Sequence, residues 1–337
     1  MIKLETIPSI NGELEKIEGK LQEITETKFN LLYRISNRLL KAGGKRLRPL
    51  LVLLTGKLNN ELDTDVSNNL ISGGASIELL HMSTLIHDDV IDNSIHRRGE
   101  NTVNKDWGNK VAVLSGDLLY TQALRLLNEL GDNDLLDYML DIVGLICEGE
   151  VKQAVTNHDL DQAMEDYIDK ITKKTALLIA ASCKLGGIVC ELSDKRVDAI
   201  ENYGKKLGIA FQIINDLNDV VAEKCDLGKE PGDDLRQGTL TLPVIYGLQE
   251  SAEKEFLEEV IVKHENSDEE IERALKVLRS SGAIEYSIKV SQDYINQALD
   301  SLRFFSDSPA KSTLQLIAHT VINSYKGIKP LETGVTI

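Results

Sequence analysis

Two short acidic stretches set oxygen ligands at helical spacing. The first, Asp88-Asp89-Val90-Ile91-Asp92, ends an apolar run whose members fall at 71, 75, 79, 82, 85/86 and 90, a helical stripe rather than a strand alternation. On such a helix Asp88 and Asp92 are i and i+4 and project from one face, so their carboxylates can share divalent ions. Donors that are all oxygen suit Mg²⁺, which keeps several waters and binds through one or two carboxylates plus phosphate oxygens. Taken alone, the stretch is also what a solvated acidic helix end looks like. The second, Asn215-Asp216-Leu217-Asn218-Asp219, lies inside the apolar run GIAFQIINDLNDVV, where polar groups are costly to bury without partners. Asn215 and Asp219 are i, i+4, and Asp216 and Asp219 are i, i+3. Two such clusters on separate helices suit a clamp on a diphosphate and its metals, in which fixed cations stabilise the charge that builds on a departing diphosphate.

Basic residues stand near both clusters in a chain whose formal net charge is −16. Gly43-Gly44-Lys45-Arg46-Leu47-Arg48-Pro49 puts two glycines before three cations, so that backbone and side chains can approach a phosphate closely. Arg97-Arg98-Gly99 follows the first cluster. In so acidic a chain, two compact basic runs beside acidic clusters point to an anionic small molecule bridged by cations. The same charge argues against a nucleic-acid partner.

The elements that must position these groups are long helices. Stripes at three- and four-residue steps run over Leu31–Leu40, Leu70–Ile91, Val111–Leu130, Leu135–Val155, Tyr167–Val189, Val197–Val221 and Ile284–Leu302. Gly131 and Ala42-Gly43-Gly44 stand where helices should stop, and Ser193-Asp194 where one should begin. No strand–helix alternation occurs, which argues against a nucleotide-binding α/β fold. Hydrophobic residues make up 42% of the chain, enough for a large core, and no linker divides it. The expectation is all-α: one domain over 1–337, a bundle of long helices around a central apolar pocket, with segments 1–25 and 329–337 peripheral. Glu265–Glu270 reads as a solvated loop and helix start. Cys147, Cys183, Cys190 and Cys225 match neither a CxxC pair nor a zinc set and read as small core residues. With no leader pattern and no membrane span, a cytoplasmic protein is expected.

From Gly43 to Pro243 the sequence resembles the trans-isoprenyl diphosphate synthase family, through GGKRLRP, HMSTLIHDDVID, RRG, KKTALLIAASCKLGG, FQIINDLND and LGKEPGDDLRQGTLTLP in the family's order. Within the family it is most like the catalytic component of bacterial heptaprenyl diphosphate synthases. The resemblance implies an isoprenoid synthase fold, Mg²⁺ as cofactor, and two substrates, isopentenyl diphosphate and an allylic diphosphate. It implies that Lys45, Arg48, His81 and Arg98 hold the isopentenyl diphosphate. Asp88 and Asp92 would ligate the Mg²⁺ of the allylic diphosphate, with Arg97, Lys174 and Lys229 as its cationic contacts. Thr175 and Gln212 would turn oxygen dipoles to the developing allylic cation, and Asn215, Asp216, Asp219 and Asp234 would surround the remaining metal. The chain departs from the family at Asn215, usually an aspartate, and at Thr239, often a lysine in short-chain members.

Four, five, eight and eleven residues before Asp88 stand Thr84, Ser83, Leu80 and Ile77, roughly on its helix face. Short-chain relatives carry aromatic rings near the first two positions. Small hydroxylic residues there imply a deeper pocket and a medium- or long-chain product, hexaprenyl or heptaprenyl first, of the kind used for a quinone side chain. The resemblance further implies a homodimer, or a heterodimer with a small non-catalytic subunit, and peripheral membrane contact for product release. The alternatives are a geranylgeranyl diphosphate synthase, if Leu80 closes the pocket; a class I terpene cyclase, which Asn215-Asp216-Leu217-x-Asp219 partly matches; a peptide prenyltransferase; and a non-catalytic partner subunit.

Overall fold

The structure, a computed structural model, describes residues 8–41, 44, 46–59, 64–97, 99–221 and 231–325. Lys45, Arg98 and Lys229, the glycine at 43, Cys225 and the tail expected beyond 329 lie outside the described residues. The order is α1 (Pro8–Thr25), α2 (Asn30–Lys41), α3 (Leu47–Gly56), α4 (Thr64–Ile91), a hairpin of β1 (His96–Arg97) and β2 (Glu100–Asn101), then α5 (Val103–Trp107), α6 (Asn109–Glu129) and α7 (Asn133–Thr156). There follow α8 (Met164–Ile171), a π-helical turn (Thr172–Ala176), α9 (Leu177–Val189), α10 (Asp194–Val221), α11 (Asp233–Arg236), α12 (Leu242–Glu250), α13 (Lys254–Val262), α14 (Asp268–Ser280), α15 (Ala283–Ser301) and α16 (Pro309–Asn323). The fold is all-α apart from the two-residue strands of the hairpin.

α4 is buried nearly all round, by α6, α3, α1 and α9, because both its faces are apolar or small: Leu70, Gly73, Ala75, Ile77, Leu79 and Leu80 are all buried. A helix without a polar face belongs in the interior, and its last turn carries Asp88 to the surface of the core. The N-terminal segment, expected at the periphery, is part of that core: Ile10, Leu14, Ile17 and Leu21 of α1 are buried at four-, three- and four-residue steps and pack on α4. A second apolar cluster gathers Tyr167 and Ile171 of α8 with Ile209 and Ile213 of α10, Leu242 and Ile245 of α12, and α13 and α14. The segment read as loop and helix start at 265–270 holds a capping box, in which Ser267 and Glu270 satisfy each other's backbone N–H groups.

α10 lies unusually close to the α9 strip. A Cβ added at Gly208 would stand 2.6 Å from Ala176 Cα, and one at Gly204 would stand 2.8 Å from Ala180 Cα. The missing side chains bring the π turn against α10. Gly208→Val should therefore cost about 1–3 kcal/mol through overpacking, read as a lower chemical-denaturation midpoint. An unchanged midpoint would show that the helices can part freely here.

The one departure from the expected helices is within Tyr167–Val189. A single helix is interrupted by the wider turn at Thr172–Ala176, which adds a residue to one turn; a reading based on a 3.6-residue period absorbs such an insertion without trace. π insertions concentrate at functional sites, and this one carries Lys174 and Thr175.

Candidate active site

Asp92 extends the last turn of α4 by one residue, its N–H donating to Asp88 O at 2.8 Å, so the two carboxylates share a face as expected. Burial, with the charge of Glu150 on α7 next, pushes the Asp88 carboxyl up to about 7 against the pull of Lys174 and Arg97. Asp89 turns the other way. It is 3% exposed and accepts from Arg97 Nε at 2.8 Å, so the middle aspartate anchors the hairpin. Asn104 of α5 ties the same joint, its Nδ2 donating to Asp89 O at 3.1 Å and Ser94 O at 3.0 Å.

Lys174 reaches from the π turn into this charge cluster. Its Nζ donates to Glu150 Oε2 at 3.0 Å and to Gln153 Oε1 at 3.4 Å. Burial opposes its charge, yet Glu150, Asp88 and Asp92 outweigh that and hold its pKa above the ordinary lysine value.

On α10, Asp216 and Asp219 are buried at 6% and 3% exposure, while Asn215 is exposed. Tyr167 Oη donates to Asp216 Oδ2 at 2.7 Å, Gln212 Nε2 to Asp216 Oδ1 at 2.6 Å, and Thr175 Oγ1 to Gln212 Oε1 at 2.9 Å. Asp219 Oδ2 accepts the backbone N–H of Asp234 at 3.1 Å. Beside them Lys170 is 4% exposed, with Nζ donating to Leu240 O at 3.0 Å; burial lowers its pKa, and Asp216 and Asp234 resist that. Lys170, beside the second acidic cluster, and Lys174, beside the first, lie within electrostatic range of one another. Thr239 is buried and donates to Asn157 Oδ1 at 3.3 Å.

Of the cations before α3, Arg46 is structural. It adopts a left-handed backbone (φ 44°) and its guanidinium donates to Glu18, to Glu78 Oε1 at 2.8 Å and to Leu40 O at 3.0 Å. Arg48 is half-buried at the start of α3. His81 lines a cavity of about 40 Å³ with Arg46, Glu78, Asp89 and Arg97. Ile77, Leu80 and Ser83 are buried at 0, 2 and 3% exposure; Thr84 is half-buried, its hydroxyl donating to His81 O at 2.9 Å.

These donors fit Mg²⁺. Their oxygens suit an ion that takes part of its shell from phosphates and water; among the described residues no three His, Cys, Asp or Glu side chains are grouped to hold a metal ion by themselves. Burial first and the charge of Glu150 next raise the Asp88 carboxyl from the ordinary 3.8 to about 7, a cost that a bound cation would relieve. In the metal-free protein this group binds its proton more tightly than in the unfolded chain, so stability on its account is fullest below about pH 4 and is lost as pH rises through about 7. A cation competes with that proton. Mg²⁺ with inorganic diphosphate should thus raise the melting temperature more at pH 8 than at pH 6, and less Mg²⁺ should be needed at the higher pH; equal gains at both would mean that the cation binds elsewhere.

The polyprenyl synthetase family model matches residues 29–278. The chain belongs to the polyprenyl synthetase family. It is 34% identical over 309 residues to heptaprenyl diphosphate synthase component 2 of Bacillus subtilis (strain 168), covering 92% of this chain and 87% of that one. The crystal structure of heptaprenyl diphosphate synthase from Staphylococcus aureus superposes with a TM-score of 0.90 at 31% identity, covering 94% and 99% of the two chains. That of geranylgeranyl pyrophosphate synthase from Lactobacillus brevis ATCC 367 gives 0.87 at 27%, covering 94% and 98%. The fold is therefore the all-α isoprenoid synthase fold, and the protein is a prenyl transferase of the diphosphate synthase class. Its relatives make products of several lengths.

Sequence reasoning missed Glu150, Gln153, Tyr167 and Lys170. Lys170 carried a signal, lying four residues before Lys174 on what reads as the same helix face, and EGEVKQ puts Glu150 and Gln153 at i, i+3. Tyr167 carried none, because a buried tyrosine on an apolar stripe looks like core.

Proposed function

We propose that the enzyme condenses an allylic diphosphate, farnesyl or geranylgeranyl, with isopentenyl diphosphate by ionisation, condensation and elimination, giving a medium- or long-chain all-trans polyprenyl diphosphate. The observation that carries this is the tie between the two acidic clusters: Lys174 lies within charge range of Asp88, Asp92 and Glu150, and its neighbour Thr175 is bonded through Gln212 to Asp216. Asp88 and Asp92, with Asn215 and Asp219 across from them, would hold Mg²⁺, which supplies charge neutralisation for the departing diphosphate. Lys174, Arg97 and Lys229 hold the allylic diphosphate, and Lys45, Arg48, His81 and Arg98 the isopentenyl one. To reach the substrate, Lys174 leaves Glu150, and Arg97 leaves or shares Asp89. Thr175 and Gln212 face the carbon that becomes cationic when its bond to oxygen breaks; the double bond of isopentenyl diphosphate attacks that carbon, and the released diphosphate takes the proton. The protein's share is position and exclusion of water.

A second chain is the reading that best explains Leu140, Val151 and Val155 of α7. They are 40, 64 and 74% exposed and fall at i, i+11 and i+15, on one stripe of the helix. That chain is a second copy or a small non-catalytic subunit; the Bacillus relative is named a component.

The test is a mass spectrum of products from farnesyl diphosphate with and without isopentenyl diphosphate. Diphosphates longer by whole isoprene units are expected, and only with both substrates. A hydrocarbon formed from farnesyl diphosphate alone would make this a cyclase.

A further inference from the structure

Tyr167 is 0% exposed; its hydroxyl donates to Asp216 Oδ2 and accepts from the backbone of Leu242. The three bonds from Tyr167 through Asp216 and Gln212 to Thr175 have a direction. A carboxylate only accepts, so Gln212 must turn its NH₂ end to Asp216 Oδ1 and its carbonyl end to Thr175. The Thr175 hydroxyl must then donate to Gln212 Oε1, which leaves its oxygen lone pairs on the side away from Gln212. Thr175 adjoins Lys174, whose amine lies among Asp88, Asp92 and Glu150. Lys170, three residues after Tyr167 on α8, faces the same carboxylate and keeps a negative charge tolerable there. Both oxygens of Asp216 are thus engaged by the protein's own donors.

We propose that Tyr167 and Asp216 are positioning residues: together they fix the direction of this hydrogen-bond chain, so that Thr175 presents lone pairs, not its proton, to the allylic carbon as it becomes cationic. This rests on the prenyl-transfer reading above. It gives Asp216 a different task from Asp219 and Asn215, that of orienting Gln212 rather than holding a metal.

Tyr167→Phe keeps the ring and removes the donor. Loss of one bond in the chain should lower the single-turnover rate of the first condensation about tenfold, with the binding of Mg²⁺ and inorganic diphosphate, measured by calorimetry, within twofold of wild type. With Tyr167 Oη still donating to the oxygen of the new amide, Asp216→Asn brings an NH₂ group against that of Gln212; the Gln212 amide then flips and Thr175 turns its proton outward, so the rate should fall further. Adding Gln212→Glu to Asp216→Asn restores an acceptor at 212 for both the new amide and Thr175, and should recover at least about tenfold of that loss. A wild-type rate in Tyr167→Phe, weakened Mg²⁺–diphosphate binding in either single variant, or no recovery in the double variant would overturn the proposal. Should Tyr167→Phe fail to fold, the Asp216→Asn pair with and without Gln212→Glu decides it. Wild-type protein that makes no longer diphosphate in the same assay sinks the prenyl-transfer reading instead.

Discussion

Asp88→Ala should lower condensation by about 10³-fold or more, since it removes charge stabilisation that is strongest in the transition state, while the metal-free protein becomes no less stable. The two halves of this expectation have one cause. Burial and Glu150 already push the Asp88 carboxyl up to about 7, so at pH 8 the folded chain carries a charge that its surroundings disfavour. Deleting the carboxylate removes that cost, and the melting temperature should hold or rise. Loss of activity with a lower melting temperature would instead mark Asp88 as a structural group. The companion control is excess EDTA, in which near wild-type condensation would exclude a divalent ion from the reaction.

The long helices from α4 to α10 and α15 were legible because each carries an apolar stripe, and some an end signal that agrees with it, whereas α12, α13 and α16 were not read. Gly131 ends α6 with φ 75°, and Asp194 opens α10. The acidic clusters were legible for a related reason: charged groups at helical spacing beside apolar runs must have a use or a partner. What could not be read was how each group is spent. Arg46 and Arg48 look alike in KRLR, yet only the fold reveals that Glu18 and Glu78 come from α1 and α4 to occupy Arg46. In the same way Asp88 and Asp89 are neighbours in sequence but lie 100° apart around a helix, one facing Lys174 and the other Arg97. The π turn was invisible because its one extra residue alters no residue type. Contacts made across long sequence separations, such as Tyr167 to Asp216 and Lys170 to Leu240, leave no local pattern.

Thr84→Phe should shorten the main product to farnesyl or geranylgeranyl diphosphate. Thr84 lies about 6 Å down the α4 axis from Asp88, Leu80 about 12 Å and Ile77 about 16 Å, at 1.5 Å per residue. On the function proposed above, each isoprene unit added to a chain whose diphosphate is held at Asp88 would pass these levels in turn, at roughly one helical turn, 5.4 Å, per unit. In wild type the first level is a half-buried threonine whose hydroxyl is satisfied within its own turn by His81 O, so it offers a growing chain a small, non-competing surface. A phenyl ring there would block that path before the next unit could descend. Ser83 is the harsher site, since it is 3% exposed and a ring would be forced into packed surroundings at a cost of about 1–3 kcal/mol or more. Ser83→Phe should thus lower stability as well as shorten the product, whereas Thr84→Phe should act on length with little change in melting temperature. Chromatography of the dephosphorylated alcohols measures the length, and thermal melting the stability. Unchanged lengths in the two variants would place the floor on another helix or on a second chain, and a product that already ends at geranylgeranyl length in wild type would place it at Leu80.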